Sequence, residues 1–126
     1  MFADSASTPL RVLVLWMHVT HSDRMPPNSL VLARIPDRRA IQWWDPNRVL
    51  SKTMLHDYSP DTAMTMADTT GGTPPVIWDF VAMWRRGARW TDRLPPPDFF
   101  GHPVFEWIEP FRRRLGELAR AGTGAK

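Results

Sequence analysis

A chain of 126 residues with 43% hydrophobic and 23% charged content has enough material for one domain's core, which excludes a wholly disordered polypeptide. It contains no cysteine, so disulfide frameworks, thiolate zinc sites and a cysteine nucleophile are excluded. The formal net charge is +3, with fourteen arginines against two lysines.

Residues 1–9 form a polar lead-in without a basic n-region, so the apolar run Leu10–Met17 is not expected to be a secretory signal, and it is too short to span a bilayer. A cytoplasmic protein with no membrane contact is expected. Leu10–Val19 is apolar on both alternation phases, which predicts a central strand covered on both sides. Residues 21–28 make a loop fixed by Pro26 and Pro27. Ser29–Ile35 and Arg39–Trp44 are expected as two arms of a hairpin turning at Pro36–Asp37. Asp45–Pro46 then supplies an N-cap and first turn for a helix to about Tyr58, with Val49, Leu50 and Met54 inward.

Residues 61–68 are compatible with an edge strand, and 69–75 with a Gly/Pro loop. Ile77, Phe80, Val81, Trp84 and Ala88 recur with helical spacing, which predicts a helix over 76–90. Pro95–Pro97 is a stiff spacer. Val104, Ile108, Phe111, Leu115 and Leu118 form a heptad seam on a final element from about 102 to 121. Pro110 should break it near Glu109 and leave the firm helix at 110–121, with Gly122 as its stop. The expected fold is therefore α+β, a small antiparallel sheet of three to four strands packed against two or three helices. It forms a single domain over 1–126 that ends in a Gly-rich tail at 122–126.

No arrangement of residues names a reaction. His18 and His21 would point to opposite faces of a continuing strand, so with Asp23 they do not make a metal site. His56 and Asp57 could form an oriented general base, although adjacent helical residues do not face each other. Gly71–Gly72 precedes prolines that remove the N–H donors a phosphate loop needs. No catalytic residue, metal ligand or cofactor is expected.

The basic and aromatic residues carry more information. Residues 85–126 hold nine basic against five acidic residues, which suits an acidic protein face or nucleic acid. Trp16, Trp84 and Trp107 are expected in the core. Trp43 and Trp44 are strand neighbours and must face opposite ways. Trp78, with Arg85 and Arg89, falls on one flank of the 76–90 helix, and Arg112 and Arg113 lie on the last helix beside Arg114. Tryptophan with arginine is the composition of interface hot spots and of single-strand stacking platforms. It equally suits large rings filling an irregular core and a solvated helix face. A short, cysteine-free, aromatic-rich chain with no catalytic signature is similar in composition to small accessory proteins of phages and mobile elements. That implies a non-enzymatic inhibitor or adaptor that docks Trp43, Trp44, Trp78, Arg85, Arg89, Arg112 and Arg113 on an acidic surface of a larger complex. The alternatives are a nucleic-acid binder using the basic third, and a small His/Asp hydrolase.

Overall fold

The computed structural model describes residues 10–20, 24–59, 61–62 and 75–123. Over these residues the chain is mixed helix and strand, roughly α+β. It runs β1 (Val12–Trp16), α1 (Ser29–Leu32), β2 (Ala40–Trp44), α2 (Val49–Asp57), β3 (Val81–Met83), β4 (Phe99–Gly101) and α3 (Val104–Thr123). The strands make two separate two-stranded sheets rather than one sheet of three or four. The first pair, β1 with β2, is parallel, and the second, β3 with β4, is antiparallel.

The expected hairpin at Pro36–Asp37 is absent because its first arm is helical. Asn28 adopts extended backbone and its side chain accepts the N–H groups of Leu30 and Val31, both at 3.1 Å. That cap starts a one-turn helix and overrides the strand preference of the Val/Leu run. The chain then returns to the same end of β1, as a parallel pair requires. The second arm is a strand as expected, paired Val12↔Ala40 through Trp16↔Trp44.

Helix α2 begins three residues later than its proline suggested, because Pro46 and Asn47 form a turn and Arg48 takes a left-handed conformation. Asp45 still serves the helix start, since its carboxylate accepts the N–H of Leu50 at 3.1 Å. Val49 is exposed, and the inward residues are Leu50, Ser51, Met54, Leu55 and Tyr58.

No helix spans 76–90. Asp79 sits at φ 49° and Gly87 at φ 90°, so the backbone turns twice, with β3 between. The apolar spacing is satisfied instead by an extended segment lying between two helices. Phe100 of β4 and Phe80 pack with Met54, Tyr58 and Ile77 on one side. Phe99, Val81 and Met83 pack with Phe111 and Leu115 of α3 on the other. Successive strand residues point to opposite faces, so two adjacent phenylalanines supply both cores.

Helix α3 is continuous through Pro110 and runs past Gly122 to Thr123; the expected break near Glu109 does not occur. Pro110 cannot donate to Glu106, which removes one helical bond. The turns on either side are held by packing: Phe99 meets Trp107 at 5.8 Å and Phe111 at 5.9 Å, both edge-on. Phe111, Leu115 and Leu118 form the seam as expected. Among the described residues no helix is long and apolar enough to cross a membrane. Of the expected 61–68 edge strand, Asp61 and Thr62 are helical instead and 63–68 lie outside the described residues, as do Gly71, Gly72 and residues 124–126.

Candidate binding surface

The β1–β2 pair carries an exposed apolar face. Its register places Leu13 beside Ile41 and Leu15 beside Trp43 on one face. Leu13 is 68% exposed, Trp43 63% and Ile41 46%. The other face carries buried Val12 and half-buried Val14, Trp16, Gln42 and Trp44. Gln42 is fastened there: it accepts from Trp16 Nε1 and donates to the carbonyl of Leu32, both at 3.0 Å. Trp44 lies 6.5 Å from the His18 ring. The sequence expectation that β1 is covered on both sides therefore fails. Among the described residues β1 is an edge strand with one open face. Parallel sheets are ordinarily covered on both faces, so an open apolar face is anomalous.

The two neighbouring tryptophans point oppositely, and Trp43 is the one in solvent. Of the other expected contact residues, Trp44 lies on the opposite face of β2 and the rest belong to other segments. Trp78, Arg85 and Arg89 share no helix flank. Trp78 lies in the irregular stretch before β3, with its indole N–H buried and without an acceptor among the described residues. The Arg85 guanidinium and backbone N–H are both held by the Asp98 carboxylate. That contact holds the Asp98 carboxyl below the usual carboxylate range, and Arg114 of α3 adds to the pull. Arg85 and Asp98 border a shallow depression of about 410 Å³ with Arg86, Gly87, Pro95 and Pro96. Arg89 is exposed beyond it. Trp84, expected in the core, is half-buried and donates its indole N–H to the Pro95 carbonyl at 2.8 Å.

On α3, Arg112 pairs with Glu109 at 2.6 Å and Arg114 with Glu117 at 2.9 Å, while Arg113 is exposed. Three of the arginines in the basic third thus have carboxylate partners from the same third.

His56 and Asp57 do meet, Nδ1 to Oδ1 at 3.0 Å. Asp57 is the last residue of α2, where the chain leaves the helix and adjacent side chains can converge. The Asp57 side chain is only 5% exposed. Its pKa is lowered first by the N–H of Leu94, which donates to Oδ2 at 2.7 Å, and then by His56. The carboxylate ties α2 to Leu94, just before the Pro95–Pro97 segment, and the imidazole lies in solvent. His21 and Asp23 lie outside the described residues. Among those described, no group of three or more His, Asp or Glu could hold a metal ion.

Leu13 and Ile41 were not among the contact residues expected from the sequence. A run apolar on both phases is the pattern of a covered central strand, and only the pairing shows that β1 has one strand neighbour among the described residues. No known protein family, curated protein or solved structure matches this chain.

Proposed function

We propose that the chain is a non-enzymatic protein-binding accessory protein, an inhibitor or adaptor of a larger complex, and that its primary contact is the Leu13–Ile41–Trp43 face. The observation that carries this reading is an exposed apolar face on a parallel pair, centred on a tryptophan. Exposed apolar patches of this kind mark interaction sites, and tryptophan is enriched among the residues that dominate binding energy. The nucleic-acid alternative draws less support, because Arg85, Arg112 and Arg114 spend their charge on Asp98, Glu109 and Glu117. The hydrolase alternative has an oriented imidazole at His56 but no described nucleophile hydrogen-bonded to it.

The test is photo-crosslinking in the native host from a benzophenone amino acid placed at position 43. A single crosslinked protein, lost when Leu13→Glu is added, is the expected result. Crosslinks to nucleic acid alone, or protein crosslinks indifferent to Leu13→Glu, would overturn the reading.

A further inference from the structure

We infer that β1 accepts an extended, acidic segment of the partner protein as an added strand; this deepens the protein-binding reading and rests on it. The backbone geometry sets the site. Val12 donates its N–H to the Arg39 carbonyl at 3.2 Å, and the Trp16 carbonyl accepts from Asp45 at 2.7 Å. In a parallel ladder the even-numbered residues of β1 therefore bond to β2. The N–H and C=O groups of Leu13 and Leu15 project from the opposite edge, where no described strand pairs with them. On the far side of β2 the corresponding edge is partly occupied, since Ala40 donates to the Asp37 carbonyl at 2.9 Å. The open ladder thus lies on β1, beside the most exposed leucine of the apolar face. Strand addition of this kind draws affinity from backbone bonds and specificity from alternate side chains.

Charge selects the occupant. Residues 10–52 hold seven basic residues against three acidic, a concentration hidden by averaging over the N-terminal two-thirds. Arg11 is exposed, shares the alternation phase of Leu13, and has no ion-pair partner among the described residues. Arg38, just before β2, is also exposed. Of the described carboxylates in this stretch, Asp37 is taken by Arg39 at 2.7 Å and Asp45 accepts the N–H of Leu50 at 3.1 Å. A second copy of this chain would bring the same cations to the same edge, and like charges brought together oppose association. An apolar strand flanked by carboxylates is complementary to both the face and its rim.

The probes are two synthetic peptides with the same valine–threonine repeat, one flanked by paired glutamates and its twin by paired lysines. Titration is followed by amide NMR and hydrogen exchange. The glutamate peptide should bind at least about tenfold more tightly than the lysine twin. It should slow exchange at the Leu13 and Leu15 amides, and Arg11→Glu should reverse the preference. Equal binding of both peptides, no binding, or binding without protection at Leu13 and Leu15 would overturn the strand proposal. So would protection of those amides by self-association or by an oligothymidine. The crosslinking experiment at position 43 stands apart from these outcomes, so a protein partner that docks without an acidic strand would refute this inference alone.

Discussion

The Ser51 hydroxyl, only 2% exposed, accepts the backbone N–H of Ile77 at 2.8 Å. This bond joins the buried face of α2 to the segment that leads into β3, across the cluster of Met54, Tyr58 and Ile77. Ser51 lies in the first turn of α2, and its burial is explained by the group it satisfies outside the helix.

Ser51→Ala should therefore cost about 1–3 kcal/mol, the range for leaving one buried polar group without a partner. Urea denaturation gives the number. A loss under about 0.5 kcal/mol would mean that the Ile77 N–H finds another acceptor or water.

Gly101 is needed for space, not for conformation. A Cβ at this position would lie 2.2 Å from Trp107 Cγ, where the ring of α3 crosses β4. Gly101→Ala should push Trp107 off Phe99 and destabilise the fold by about 1–3 kcal/mol, as overpacking does. Near-ultraviolet circular dichroism should change in parallel, because Trp107 contacts Phe99 edge-on. Gly116, with open space around its Cβ position, is the control: Gly116→Ala on the same helix should be neutral or stabilising. Equal effects at both glycines would refute the steric account.

These two contacts also show where the sequence was legible. The seam of α3 and the strand at Ala40–Trp44 were readable from periodicity and β-propensity, because each local pattern agrees with its final surroundings. The segment 76–90 was not. Helical spacing of Ile77, Phe80, Val81 and Trp84 arises there because an extended chain lies between two helices and feeds both sides. The parallel pairing was equally hidden, since it depends on the Asn28 cap turning an apparent strand into a helix. Of the expected contact residues, Trp43 and Trp44 were placed by the alternation of strand side chains and Arg112 and Arg113 by the α3 seam, and both rules survive in the fold. The grouping of Trp78, Arg85 and Arg89 depended on a helix that does not form.

Stability should have distinct acid and alkaline limbs. Asp57 has its pKa depressed in the folded state, chiefly by the Leu94 N–H. Its contribution is present above the unfolded value near ~3.9 and disappears as pH falls through the folded value. Asp37, lowered to about 2 by Arg39, behaves in the same way. Tyr58 is opposite in sign: burial, aided by the Asp57 charge, pushes it up to about 12. Its contribution is full below the unfolded value near ~10 and falls as pH rises towards the folded one. In melting temperature against pH, Asp57→Asn should flatten the acid limb and Tyr58→Phe the alkaline limb. An acid limb unchanged in Asp57→Asn would remove Asp57 from the groups that set it.

The arginines of the basic third should separate into structural and free classes. Arg85 donates to Asp98 through its guanidinium and its backbone, and Asp98 in turn accepts nothing else among the described residues. Arg85→Ala removes the side-chain bonds and leaves a carboxylate that is only 13% exposed with the residue 85 N–H as its one hydrogen-bond donor among the described residues. The melting temperature should fall. Arg89→Ala and Arg113→Ala remove exposed side chains without ion-pair partners among the described residues, and exposed substitutions usually stay within about 0.5 kcal/mol. Their melts should match wild type. The same two variants test the nucleic-acid alternative, because free cations are what a phosphate backbone would engage and release counterions against. If the basic third only solvates the surface, binding to single-stranded DNA stays weak at physiological salt and the double variant Arg89→Ala/Arg113→Ala does not change its salt slope. Tight DNA binding whose salt slope falls in that double variant would restore the nucleic-acid reading and demote the Trp43 face.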